Sequence, residues 1–177
     1  FVAEGRIGDL GGNATFELDL GPSTGAPADT ANFPWINGQM YAFSITYNQG
    51  TNTVEYSLGG ETLSYQPSGP FTDVFIRTRA VFEGAEVSVT NIVIDGQAAA
   101  GSSEAIGDGV DVLRISGADL EDGFTLTADA MLSWTGEAPS QSQLAYQVKF
   151  GTVIPAPGAM AVFAGLAAVG RGRRRRA

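Results

Sequence analysis

Five carboxylates crowd two short glycine-bearing stretches, "GDGVD" with Asp108 and Asp111, and "ADLEDG" with Asp119, Glu121 and Asp122. Ca²⁺ gathers about six to eight hard oxygen ligands, which makes these residues candidate Ca²⁺ ligands. Neither stretch follows the spacing of an EF-hand loop, and the same residue types serve equally as solvated turn formers. Trp35, in "NFPWING", offers a second chemistry: an aromatic face packs on a sugar ring while nearby polar groups set its orientation. A third would use Glu55 and Glu61 as the acid and base of a glycosidase, which demands a separation that spacing along the chain does not define. Arg77 and Arg79 stand two residues apart and are expected to pair with neighbouring acids.

The chain holds no Cys and no His, so thiol nucleophiles, disulfides, the usual Zn²⁺ ligand sets and a Ser-His-Asp triad are excluded within this sequence. The expectation is a protein that is not an enzyme, with Ca²⁺ the one cofactor for which ligands are on offer. All 19 Asp and Glu residues precede residue 150, whereas the ten Lys and Arg split evenly between the body and the last seven positions. The body therefore carries −14 and the tail +5. Such a body lacks the basic surface that neutralises phosphates, so no nucleic-acid partner is expected.

Period-two alternation dominates the first 152 residues and predicts the scaffold that must hold these groups. In "MYAFSITYN", Tyr41, Phe43, Ile45 and Tyr47 share one face; after "NQGTN", Val54, Tyr56 and Leu58 repeat the pattern, which predicts a hairpin. "LGGE" predicts the next turn. "FTDVFIRTRAVF" and "EVSVTNIVIDG" read as two strands parted by Glu83, Gly84 and Ala85, with Arg77 and Arg79 on the polar face of the first. Further strands are expected over 12–20, 111–116, "GFTLTADAMLSW" and Leu144–Phe150, about nine in all. Residues 21–38 and 96–110 read as long loops, and loops of that length often carry function. The fold class is all-β: an antiparallel β-sandwich with jelly-roll-like connections over 1–152, a closed barrel being the alternative. Asn13-Ala14-Thr15 matches an N-glycosylation acceptor, a short match read as accidental.

Residues 153–177 form a second unit, a tail of different composition ending "PAPGAMAVFAGLAAVGRGRRRRA". A helix from Pro157 to Gly170 would span about 21 Å at 1.5 Å per residue. That is short of the ~30 Å hydrocarbon core, and Ala and Gly fill most of it, so any membrane anchoring through this C-terminal hydrophobic helix is weak and transient. A Pro motif (Pro155, Ala156, Pro157, Gly158), an apolar run and a terminal cluster (Arg171, Arg173, Arg174, Arg175, Arg176) resemble the PEP-CTERM sorting signal of exported bacterial proteins. Ala156 stands where that family's usual motif has an acidic residue. The resemblance implies recognition by an exosortase-type sorting protease, removal of helix and arginines, and delivery to the cell surface or extracellular matrix. The chain opens on Phe1 with no basic, apolar leader, so a secretory signal is expected to have preceded it.

The body, through "YAFSITYNQGTNTVEYSLGG", "VFIRTRA", "NIVIDG" and "DVLRISGADLEDGFTLTADAMLSW", is similar to the choice-of-anchor surface domains, the W type among them. That resemblance implies a β-sandwich upstream of an interchangeable sorting tail and carries no defined activity. The expected function is structural or adhesive, with exopolysaccharide as a partner; a carbohydrate-binding module and a glycan-active hydrolase are the alternatives.

Overall fold

Alternation of apolar and polar residues builds each long strand of the computed structural model, which describes residues 1–7, 16–117, 120–139 and 142–152. Eleven strands form in chain order: β1 (Val2–Ile7), β2 (Phe16–Gly21), β3 (Asp29–Asn32), β4 (Met40–Asn48), β5 (Thr53–Leu58), β6 (Glu61–Tyr65), β7 (Asp73–Ile94), β8 (Gln97–Ala98), β9 (Ser103–Ser116), β10 (Phe124–Trp134) and β11 (Leu144–Gly151). The described residues contain no helix, and none is therefore long and apolar enough to cross a membrane. The expected tail helix, the sorting motif, the terminal arginines and Asn13 lie outside the described residues.

All pairing is antiparallel, in one sheet of order β3-β2-β1-β11-β7-β10-β4-β5-β6, with β8 and β9 pairing β7 off that path. The all-β, antiparallel expectation holds, and the strands form one continuous hydrogen-bonded sheet that coils nearly into a barrel. The reason is β7. "EGA" at 83–85 was expected to turn the chain, yet the strand continues through it for 22 residues. Residues 73–80 pair β11, residues 85–94 pair β10, and β9 follows both parts, with the register shifting between Val81 and Glu86. The bulge bends the sheet where a turn would have cut it. At the far side, Asp29 Oδ2 of β3 accepts the Ser64 N–H of β6 at 2.9 Å, drawing the outermost strands of the path together.

For description, the β1 half comprises β3, β2, β1, β11, the first part of β7 and residues 108–116 of β9 paired to it; the β4 half comprises the second part of β7 with β10, β4, β5 and β6. Their inner faces share one core, including Leu18, Leu20, Ile45, Ile76, Leu126 and Leu132. The expected hairpin β4–β5 forms, and Gly59 (φ +60°) and Gly60 (φ +96°) make the tight β5–β6 turn.

Two expected loops are partly strand. β3 lies within 21–38, and β9 begins at Ser103 inside 96–110. The inward positions of β9 there are Ser103, Ala105, Gly107 and Gly109 because β9 turns a tight corner: a Cβ on Gly109 would lie 3.0 Å from the Ile106 carbonyl oxygen, and Ser103 Oγ meets Thr78 Oγ1 at 3.0 Å. Small residues fit that corner and erase the apolar alternation that announces a strand.

Candidate functional site

Strand register decides which polar residues meet on the outside. On the β1 half, Val112, Arg77, Gln147, Glu4 and Asp19 form one row across β9, β7, β11, β1 and β2. Val110, Arg79, Ala145, Arg6 and Glu17 form the next, and Arg114, Phe75, Lys149, Val2 and Gly21 a third. Arg6, Arg77, Arg79, Arg114 and Lys149 are all the Lys and Arg residues before the tail. They share one face of one half.

Arg6 forks between Glu17 Oε2 at 2.6 Å and Asp19 Oδ2 at 3.0 Å and donates to Ser142 Oγ at 3.2 Å. Arg114 bonds Asp73 Oδ1 through Nη2 at 2.8 Å and lies over the Phe75 ring. Arg77 and Arg79 were expected to pair with acids, and that expectation is corrected: among the described residues neither forms an ion pair, nor does Lys149. Their cross-strand neighbours are Val112, Gln147, Val110 and Ala145, which carry no charge. Val110 and Val112 are more than half exposed, so an apolar margin borders these cations.

Beside this strip, the loop after β2 folds down to frame a hollow of about 210 Å³, lined by Glu4, Arg6, Asp19, Gln147 and Lys149 with Pro22 and Pro27 on the loop side. Gly21 permits the fold, since a Cβ there would lie 2.6 Å from Ala28 N, and that amide bonds Leu20 O at 2.9 Å. Gln147 Nε2 donates to Glu4 Oε2 at 2.7 Å. Asp19 is buried, and its carboxyl is pushed up to about 7, first by that burial, with Arg6 pulling the other way and Glu17 and Glu4 adding to the rise. Three buried side-chain atoms of this cluster, Arg6 Nε, Asp19 Oδ1 and Gln147 Oε1, have no hydrogen-bond partner.

The outer face of the β4 half differs. A shallow groove of about 590 Å³ runs past Ser44, Ser57, Thr62, Asn91, Thr127 and Asp129. A bulge in β7 puts Asn91 at φ +51° and aims its amide at Asp129 Oδ2, 2.7 Å away; Ser57 and Thr62 bond each other at 2.9 Å. Glu61 lines this groove while Glu55 lines a separate depression with Thr46 and Thr53. Glu55 pairs Ser64 and Glu61 pairs Leu58, positions of opposite pleat parity, so register does not bring the two carboxylates to one face.

Trp35 is corrected as a sugar platform. Only 3% of it is exposed, and its ring stands edge-to-face with Phe33, Tyr41 and Tyr146 at 5.0, 5.4 and 6.0 Å, leaving no free stacking face. Beneath it the Tyr56 and Tyr146 hydroxyls hydrogen-bond across the interior, and burial pushes both phenols above their ordinary range.

Asp108 and Asp111 stand on β9, not in a loop, and Asp111 Oδ2 accepts the Glu104 N–H at 3.0 Å. Glu121 and Asp122 are exposed in the turn before β10; Asp119 lies outside the described residues. Among the described residues, no group of three or more acids comes together to hold a metal ion. The cluster of Glu4, Arg6, Glu17, Asp19 and Gln147 escaped sequence reading because β1 meets β11 from the opposite end of the body. The alternation of "VAEGRI", with Glu4 and Arg6 on one side, was the only local signal. No family model matches the chain, and no curated protein does.

Proposed function

We propose that this chain is an exported, non-enzymatic protein of a bacterial surface or extracellular matrix, sorted through its C-terminal signal, that holds acidic exopolysaccharide on the cationic face of the β1 half. One observation carries the reading: a body of charge −14 gathers its five cations on a single face and leaves Arg77, Arg79 and Lys149 without ion pairs among the described residues.

Arg77 and Arg79 are about 7 Å apart along β7, and Lys149 stands on the adjacent β11 one row beyond Arg77, opposite Phe75, a spacing at which carboxylates on successive sugars of one flexible chain can be met. A nucleic-acid duplex suits this face less, because the acidic remainder of the body repels a broad polyanion. The exposed Val110 and Val112 beside the arginines offer contact to the apolar faces of sugar rings. In this reading the two halves serve as layers of a flattened, jelly-roll-like sandwich, and the PEP-CTERM-like tail brings the body to the membrane for release by an exosortase-type protease.

The test is retention on a uronate polymer such as alginate, measured against neutral dextran across a salt series. Binding is expected to alginate alone and to weaken with salt. At about 1 kcal/mol per surface cation, Arg77→Ala with Arg79→Ala weakens it by about 30-fold. Equal retention of the double variant overturns the assignment. For the tail, the mass of the mature protein in its native host is expected to lack the terminal arginines, and an intact cluster contradicts processing.

A further inference from the structure

At the corner of β9, Ser103 Oγ meets Thr78 Oγ1; beyond it, β8 is only two residues long and the far ends of β7 and β9 leave a cleft of about 440 Å³. Ile94, Ala98 and Ala99 wall it from the end of β7 and β8, and Ile115 walls it from the end of β9. Ala99 and Ile115 are themselves only partly buried against the core, so apolar surface reaches the opening. The hollow beside the cationic strip is lined by charged side chains instead. A cleft of this size and lining suits an apolar occupant.

We infer that this cleft takes the apolar run of the chain's own tail, Met160 to Phe163, and holds it against the body. The described residues end at Thr152, and the place where they end decides what can reach the cleft. Gly151 of β11 stands opposite Asp73 of β7, and Asp73 opposite Ser116 of β9, which lines the cleft. The tail therefore leaves the body two strands, about 10 Å, from that wall and at the same end of the sheet. Thr152 Oγ1 donates to Pro70 O at 2.9 Å, which fixes the exit. About three extended residues cover the distance, and seven separate Thr152 from Met160. Met160 and Phe163 are the largest apolar side chains that follow.

Charge agrees. Asp95 stands at the rim, its Oδ1 accepting the Thr125 N–H at 2.8 Å, and Glu121 and Asp122 are exposed in the turn that leads from β9 to β10. The run that would lie beside them is followed by five arginines, and the body carries −14. A tether this short keeps the run at an effective concentration of about millimolar, so its own body is met before a second copy at micromolar chain. The sorting reading above gains a holding place for the signal before a membrane or protease takes it; the docking itself stands on the cleft and the exit of the chain.

The chain has no Cys, so Ala159→Cys in the full chain accepts a single nitroxide beside the run, and paramagnetic broadening of backbone amides locates it by NMR. Broadening is expected at Gln97 to Ala99 and at Ile115 to Gly117. Gly21 is the control: it stands two strands from β11 on the opposite side, through Val2, comparably far from the exit. Met160→Ser with Phe163→Ser, which leaves the body untouched, is expected to weaken docking by about tenfold or more and to bring the cleft down to the level of Gly21. Equal broadening at Gly21 and the cleft, or broadening that the double variant leaves unchanged, overturns the proposal. So does broadening of an isotope-labelled chain by a nitroxide on a second, unenriched chain, which would place the run on a neighbouring copy. The mass of the mature protein reads the sorting signal separately, so either reading can fail without the other.

Discussion

The outer faces of the β1 half and the β4 half arise from the same alternation, yet one carries every Lys and Arg of the body and the other presents hydroxyls and carboxylates without a cation. On the β1 half, charged groups are packed into a partly buried cluster under a loop, and some of their polar atoms go unmet. On the β4 half, short side chains satisfy one another in an open groove. The contrast separates a face built at the expense of desolvating charge from a face that costs little to expose.

The largest stability effect expected lies beneath the cationic face. An added Cβ at Gly5 would lie 2.5 Å from the Tyr146 ring and 2.8 Å from the Trp35 ring, so Gly5→Ala overpacks the β1 half by about 3 kcal/mol. The urea midpoint measures it, and an unmoved midpoint would mean the aromatic layer yields freely. Next come the two tyrosines joining the halves, Tyr56 from β5 and Tyr146 from β11. Tyr146→Phe leaves a fully buried Tyr56 hydroxyl unpaired, at about 2 kcal/mol, whereas the double change to Phe costs less than the sum of the single changes. Additive losses in that cycle would show that the hydroxyls do not depend on each other.

A pH effect should separate the faces more finely. Asp19 is raised from 3.8 to about 7 in the folded protein, so the folded state binds its proton more tightly than the unfolded chain does. Its contribution is complete below about pH 4 and is lost as pH rises through about 7. Melting temperature is therefore expected to decline over that window, and Asp19→Asn to flatten the profile; an equal decline in the variant would place its cause elsewhere. Smallest is Asn91→Ala on the β4 half, about 1 kcal/mol by thermal melting, from a left-handed backbone position and one exposed hydrogen bond.

Much of the strand content is legible locally, because a half-buried strand needs a side chain of the right polarity every second residue. β4, β5, β10 and β11 bury the faces their alternation indicates, and Val74, Ile76, Thr78 and Ala80 turn inward while Arg77 and Arg79 turn out. Glu83-Gly84-Ala85 misleads because a glycine at φ +80° suits a bulge as well as a turn, and only its neighbours distinguish them: Gly84 O accepts the Thr135 N–H at 3.0 Å, which ties β7 to the end of β10. Trp35 misleads for the opposite reason. Its flanking residues read as a loop, but the loop folds its ring inward onto Phe33, Tyr41 and Tyr146.

By itself, the sequence determined that the body is all-β, acidic and without His or Cys chemistry, since those properties follow from composition and from a period of two. Tertiary structure alone decided that one bent strand joins the halves, that Trp35 is core, and that five cations scattered from position 6 to position 149 share a face. Alternation assigns each residue to one side of its own strand. Which strands stand next to one another, and in what register, is decided by contacts between residues far apart in the chain, and those contacts assemble the cationic strip and the hollow beside it.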